Sequence, residues 1–367
     1  MKNKKITYSQ VGDNYATKDP IKKLAQTAAK LTGVNLQKHG FREISDTRGE
    51  SAYVWQQENV LMATVVEGLG TKNLVADAMY QLTGKTYYDV IAHDTVATII
   101  NDLISVGATP LTIHSYWAIE NNDWLQDAKR MKDFIKGWKS ACDFAQVSWG
   151  GGETPTLKGI VVPNTVDLGG SAVGIIKPKK RLITDAKLKV GDRILLLKSN
   201  GINANGLSLA RAIAKKLPQG YATKIGKQTY AEAILQKTNI YAKLLQDLFK
   251  NNIDIHYISN ITGHGLRKIM RARQNYRYVL EKIFESQPLF NFIQKHANLT
   301  DLDMYETFNM GQDYAIFLPK NQIKRTQKII SRHEFQSLDA GYVAAGKRQV
   351  VIQPKNITYS SDSLDLR

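Results

Sequence analysis

Cysteine is almost absent from this chain of 367 residues, and the single one, Cys142, excludes two kinds of stabilisation at once. No intrachain disulfide can form and no thiolate cluster exists for a zinc site, so packing must hold the fold and Cys142 reads as a small buried apolar residue. Long apolar runs are missing as well: no window reaches the roughly 18 residues of a membrane helix. The opening Met1-Lys2-Asn3-Lys4-Lys5 is not followed by the apolar core of a secretory signal. The expectation is a soluble, cytoplasmic protein with no membrane contact. Acidic residues are scarce beside basic ones, 33 Asp and Glu against 50 Lys and Arg, giving a formal charge of +17. Nucleic acid would exploit that surplus if the cations were clustered. They are dispersed, and the densest groups, Lys177 to Arg181 and Arg267 to Arg273, lack the interleaved aromatics of a base-stacking surface. Attraction of small anionic substrates explains the charge without a nucleic-acid partner.

Familiar catalytic signatures are lacking too. No G-x-x-x-x-G-K-[ST] occurs, and neither Gly68 nor Gly263 opens a G-x-G-x-x-G turn. His93, His114, His256 and His264 have no supported nucleophile to serve, and read as structural or surface residues.

What is present is 43% apolar content, enough for a large core and, by chain length, two domains. The charged, proline-containing run Lys177-Pro178-Lys179-Lys180-Arg181 is the best boundary, dividing residues 1–176 from 182–367. Strands and helices alternate on both sides of it, which predicts an α+β (α/β) two-domain fold. A helix is expected from Pro20, with Ile21, Leu24, Ala28 and Leu31 on one face, and another over Met131–Ala145, with Ile135, Trp138 and Ala141 inward. A longer one should keep Ile234, Leu235, Ile240, Tyr241, Leu244, Leu245 and Leu248 together.

The chemistry concentrates in Met62 to Trp117. An apolar strand ending at Val66 meets Glu67 and then the turn Gly68-Leu69-Gly70-Thr71-Lys72. From Asp94 to Val106 the polar residues Asp94, Thr98, Asn101, Asp102 and Ser105 share one helical face. At 1.5 Å rise per residue, Asp94 and Asp102 stand roughly 12 Å apart, too far for one ion without substrate oxygens between them. The alternative is that Asp94 caps the helix and Asp102 is merely solvated. Gly150-Gly151-Gly152-Glu153 permits close approach of backbone to a ligand, or only a tight turn. A second strand–turn–helix follows at Arg193–Lys198, Asn200–Gly206 and Leu207–Ala214, and a further turn at Thr262-Gly263-His264-Gly265. Together these turns suit a phosphorylated ligand with a divalent ion.

The order of motifs resembles the AIR synthetase family across nearly the whole chain. The family's G-T-D-G-V-G-T-K is similar to Val65-Val66-Glu67-Gly68-Leu69-Gly70-Thr71-Lys72, and its acidic helix to Asp94-Thr95-Val96-Ala97 through Asn101-Asp102 to Gly107-Ala108-Thr109-Pro110-Leu111. G-G-E-T matches Gly151-Gly152-Glu153-Thr154, and D-x-A-G-x-x-V-G matches Asp167 to Gly174. S-G-x-H-S-N-G-x-S-L is similar to Asn200 through Leu209, while Thr262-Gly263-His264-Gly265 and Phe308-Asn309-Met310-Gly311 match the last two signatures. The resemblance implies a homodimer paired through its N-terminal sheets, with MgATP in a cleft near the interface. It implies ATP-dependent conversion of phosphoribosylformylglycinamidine (FGAM) to aminoimidazole ribonucleotide (AIR), with release of ADP and phosphate.

On that resemblance Asp94 and Lys72 are the catalytic candidates, and Glu67, Asp94 and Glu153 the Mg²⁺ ligands. Gly68, Gly70, Thr71, Lys72, Asp102, Gly151 and Gly152 would border ATP, while Asn203, Asn205, Gly206, Thr262 and Gly263 would face FGAM. Three positions depart from the family pattern: Glu67 stands for aspartate, Asn203 for histidine, and Asp313 adds a carboxylate to an apolar segment. The alternatives are another ATP-dependent member, such as an FGAM synthetase or a small-molecule kinase, and an ATP-binding paralogue without turnover.

Overall fold

The computed structural model describes residues 5–6, 9–12 and 15–364. Its first large sheet contains β1 (Arg42–Glu43), β2 (Tyr53–Gln57), β3 (Val60–Gly68), β4 (Thr109–Ile119), β5 (Ser148–Glu153) and β6 (Val166–Ile176), in the order β1-β2-β3-β6-β4-β5. Only β4 and β5 run parallel in it. The chain then contributes β7 (Arg193–Lys198), a separate hairpin of β8 (Lys224–Ile225) and β9 (Gln228–Thr229), β10 (Tyr257–Asn260), β11 (Tyr276–Leu280), β12 (Gln312–Leu318), β13 (Ser337–Ala345), β14 (Gln349–Ile352) and β15 (Ile357–Ser360). The second large sheet has the order β10-β12-β7-β13-β11-β14-β15 and is mixed, with β11 parallel to β14. Both sheets carry helices, as the alternating pattern predicts.

Each sheet follows from its side chains. Along β3, Leu61, Ala63 and Val65 are buried while Val66 is 76% exposed, the period of two that leaves one face of a strand open. The covered face packs on the helix Tyr88–Ile104, which in turn packs on Ala128–Ala145. Strand β12 is buried along its whole length and β7 along its four central residues, so hydrophobic runs take the centre of the second sheet. The helix Tyr88–Ile104 also meets the helix Ala242–Lys250 of the second half, and so lies between the first sheet and the C-terminal residues. Among the described residues no helix is long and apolar enough to cross a membrane.

Several local expectations are corrected. The first helix spans Tyr15–Leu31 with Pro20 inside it, and Ile21, Leu24 and Leu31 are 65%, 67% and 75% exposed. Its polar side faces the body instead, where Asp19 meets His264 Nε2 at 3.3 Å. In Ala128–Ala145 Trp138 and Ala141 are buried as expected, but Ile135 is exposed and Phe134 takes the inward place. Phe134 joins an aromatic cluster with Trp117, Trp124 and Trp138, which its ring fills better than an aliphatic chain. The long helix over 234–248 is broken into Tyr230–Ile234 and Ala242–Lys250. Its middle is held by side chains of the helix Tyr88–Ile104. The glycine run expected as a turn is strand β5, and a Cβ on Gly152 would stand 2.1 Å from Ser115 Oγ.

Candidate active site

The helix Tyr88–Ile104 starts six residues before Asp94, so Asp94 is no helix cap. Nor is Asp102 solvated, since Asp94, Asn101, Asp102 and Ser105 are all buried. Their side of the helix is covered by the C-terminal half. His93 Nε2 lies 2.8 Å from the carbonyl of Thr238, and the Thr238 amide donates to Asp94 Oδ1 at 2.8 Å. Asn101 donates to the carbonyl of Asn239 at 2.7 Å and accepts from the Tyr241 amide at 3.1 Å. These contacts satisfy the backbone of 238–241 outside any helix, which explains the broken helix. Lys72 completes the strap, donating to Asp94 Oδ2 and, at 2.9 Å, to the carbonyl of Gln236. Both charged side chains of that pair are wholly buried.

A small cleft of about 80 Å³ opens beside the strap, lined by Glu67, Gly68, Asp102, Asn203, Asn205, Thr238, Asn260 and Thr262 among others. Burial, and then the charge of Asp102, push the Glu67 carboxyl up to about 7. Asn260 donates to Asp102 at 2.7 Å. Behind them Lys268 donates to Thr262 Oγ1, and burial together with the neighbouring Arg271 pulls its ammonium down to about 8. His264, pulled down to about 2 by burial and by Lys268, is a neutral ring at physiological pH. Among the described residues, Asn203 Oδ1 and Thr238 Oγ1 are buried beside the cleft with no hydrogen-bond partner. Buried polar atoms are seldom left without a partner, and facing a cleft these two are open to water or to a ligand.

Asn203 turns its other end away. Its amide donates to Asp313 Oδ1 at 2.6 Å, and Tyr241 donates its hydroxyl to Asp313 Oδ2 at 2.6 Å. Two of the three positions that depart from the family pattern are thus in direct contact. Burial pushes the Asp313 carboxyl up to about 6, against the pull of its three hydrogen-bond donors.

The glycine turns of the two halves meet here: a Cβ on Gly70, whose φ is +72°, would stand 3.9 Å from the carbonyl of Ala204. Thr71 Oγ1 next to it is buried and, among the described residues, unpartnered. Gly206 also has φ +72°, and a Cβ there would strike the Phe308 ring at 2.0 Å. On the open face of the first sheet lies a broader cleft of about 680 Å³, whose lining includes Val66, Glu67, Gly68, Gly152, Glu153 and Asp167. Glu67 and Gly68 belong to both clefts.

The expected site residues other than Gly70 and Thr71, which stand where the two halves' turns meet, fall into three groups. Glu67, Gly68, Asp102, Asn203, Asn205 and Thr262 surround the small cleft, with Gly206 and Gly263 next in chain; Gly152 and Glu153 border the large one, beside Gly151; Lys72 and Asp94 form the buried strap. Glu67, Asp94 and Glu153 are not gathered around one point, and among the described residues no three metal-ligating side chains cluster. The physical reason is that each Asp94 oxygen already accepts a hydrogen bond inside the protein. Thr238, Asn260 and Lys268 were missed as site residues. Lys268 lies within the basic cluster Arg267–Arg273, and only burial separates it from surface lysines.

Comparison with known proteins places these features in a wider set. Residues 49–176 match the family model for the AIR synthase related protein, N-terminal domain, and residues 189–353 match its C-terminal domain. A phosphoribosylformylglycinamidine cyclo-ligase of Carboxydothermus hydrogenoformans is 32% identical over 80% of this chain and 84% of its own. One from Methanococcoides burtonii is 30% identical over 90% and 93%. Among solved structures, a HypE–HypF complex has a similar fold at TM-score 0.61 and 15% identity, over 85% of this chain and 93% of the other. AaThiL complexed with AMPPCP and TMP follows at 0.58 and 13%, over 85% and 90%.

Proposed function

The chain belongs to the AIR synthase related family, and on that premise we propose that it is an ATP-dependent phosphoribosylformylglycinamidine cyclo-ligase of purine biosynthesis. The observation that carries this reading is the near end-to-end likeness to cyclo-ligases of two organisms. The convergence of both halves' glycine turns on one polar cleft supports it.

In the reaction the formamide oxygen of FGAM attacks the γ-phosphorus of ATP and the bond to ADP breaks. The amidine nitrogen then attacks the activated formyl carbon, phosphate leaves, and the imidazole ring closes with loss of a proton. Positioning and charge neutralisation dominate such chemistry, so no side-chain nucleophile is required. A cleft of about 680 Å³ is of the size that suits a nucleotide. Gly68, Gly70, Gly151 and Gly152 let the backbone come close to the ATP phosphates there, beside Thr71. Asn203, Asn205, Gly206, Thr262 and Gly263 face FGAM in the small cleft. Glu67, common to both, stands where the phosphoryl group passes between them.

A half-buried and a buried carboxyl side by side, the first with its pKa raised by burial and by the charge of the second, form an oxygen-rich pair whose repulsion a cation relieves. Glu67 and Asp102 would hold Mg²⁺, with Glu153 on the nucleotide side, and the bound ion would neutralise charge on the transferred phosphoryl group. Lys72 and Asp94 act from behind, as the pair that fixes the Gln236–Thr238 backbone beside the cleft. Residues 1–176 serve as the ATP-binding and dimerisation domain and 182–367 as the second, AIR-synthase-like domain. The open sheet face, with Val66, Leu111 and Tyr116 exposed, pairs with a second copy in a cytoplasmic homodimer. The test is a purified-protein assay with FGAM and MgATP: AIR and ADP should appear in equal amounts, and absence of AIR would overturn the reading.

A further inference from the structure

We propose that Asp313 and Asn203 form a positioning dyad that sets the hydrogen-bond polarity of the small cleft, presenting Asn203 Oδ1 as a fixed acceptor for an N–H of the FGAM amidine. This deepens the cyclo-ligase reading and rests on it.

An asparagine amide can turn either end toward a neighbour, and its partners decide which. An ionised carboxylate only accepts, so Asp313 takes the NH₂ end of Asn203, at 2.6 Å. Asp313 is itself held by two further donors to Oδ2, Tyr241 at 2.6 Å and Asn239 at 3.5 Å, and Asn239 also donates to the Tyr241 hydroxyl at 3.0 Å. With the NH₂ end committed, Oδ1 is left over. Among the described residues it has no partner, although Asn203 is only 6% exposed and lines the cleft. Asn203 also sits at φ +57°, in a tight turn of the backbone, so the direction its amide presents is set by its hydrogen-bond partner.

A buried acceptor without a donor asks for a ligand that brings one. FGAM carries N–H groups on its amidine, besides its formamide N–H and ribose hydroxyls, while its ionised phosphate and formyl oxygen only accept. The dyad therefore turns the phosphate and the formyl oxygen away from Oδ1 and, with the amidine seated there, orients the nitrogen that closes the ring. Thr238 Oγ1, also buried there without a partner among the described residues, can accept or donate and completes the recognition of a polar group.

The experiment uses the full-length protein with FGAM and MgATP. In Asp313→Asn, the new amide still accepts from Tyr241 and can donate to Asn203 Oδ1. The Asn203 amide then turns its donor end to the cleft. KM for FGAM should rise about tenfold to a hundredfold, the effect of leaving one buried group unpaired, while KM for ATP stays within about twofold. The melting temperature should not fall, because a buried charge has been removed. Asn203→Gly, which tolerates the positive φ, should raise KM for FGAM similarly, and the double variant should be no worse than Asn203→Gly alone. A structural role for Asp313 predicts instead a lowered melting temperature and additive losses. Unchanged KM for FGAM in folded Asp313→Asn or Asn203→Gly, with wild-type turnover intact, overturns the dyad and leaves the cyclo-ligase reading standing. Absence of AIR with the wild-type protein overturns both.

Discussion

Removing the Asp94 carboxylate should destabilise the protein severely, and the amount can be built from its two partners. The pair with Lys72 is wholly buried on both sides. Taking away one member of a buried ion pair leaves the other as an uncompensated interior charge, at a cost of about 3–5 kcal/mol. Asp94 also accepts the Thr238 amide at 2.8 Å, and Asp94→Ala orphans that N–H, adding about 1–3 kcal/mol. The total of about 4–8 kcal/mol is comparable with the whole stability of an ordinary domain. Asp94→Asn removes the charge and retains an acceptor for Thr238, so it should lie about 1–3 kcal/mol above Asp94→Ala. Lys72→Met alone strands the carboxylate and should cost about as much as Asp94→Asn. The double variant Lys72→Met/Asp94→Asn carries neither buried charge and should be more stable than either single one. Equilibrium urea unfolding followed by tryptophan fluorescence measures all four. A loss below about 1 kcal/mol in Asp94→Ala, or simple additivity in the double variant, refutes the reasoning.

Three more outcomes follow from other parts of the molecule. Glu67 is pushed up to about 7, so its folded-state proton is held more tightly than in the unfolded chain. The stability it contributes is full below its ordinary value near 4.5 and is lost as pH rises through about 7; without divalent ions, Glu67→Gln should therefore gain on wild type by about 1–3 kcal/mol between pH 5 and pH 8. A pH-independent difference in melting curves would count against that. Gly206→Ala must adopt φ +72° and push its Cβ into Phe308, so unfolding should show a loss of about 2–4 kcal/mol, and a loss under about 1 kcal/mol would mean the turn relaxes freely. Val66, 76% exposed on the open sheet face, is the place to test association: Val66→Lys should convert the dimer to a monomer in sedimentation while leaving the melting temperature nearly unchanged. A wild-type protein that sediments as a monomer would end the homodimer proposal.

Much of the fold was legible because short-range patterns are causes as well as signs. The strand expected to end at Val66, which runs on to Gly68, the strand Arg193–Lys198 and the helix Leu207–Ala214 are read from apolar runs bounded by glycine and asparagine, and they stand in the expected places. Where the reading failed, a distant partner had overruled the local preference. Ile234 to Leu248 has helical spacing throughout, yet 238–241 is not helical because His93, Asp94 and Asn101 hydrogen-bond its backbone. Ile21, Leu24 and Leu31 mark an apolar face, and periodicity alone cannot tell whether the body or solvent lies opposite.

By itself the sequence determined the class of this protein: two α/β halves without disulfide or membrane helix, and an ordered set of glycine turns with one acidic helix that identifies the family. Those features depend on residue type and spacing, which the chain carries in itself. Tertiary structure decided what each polar residue faces. It set Lys72 against Asp94, brought Asp102 beside Glu67, and placed Asp313 against Asn203 across 110 positions of chain. Burial and charge then fix the acidity of Glu67, Lys268 and Asp313, because each depends on groups far away in sequence.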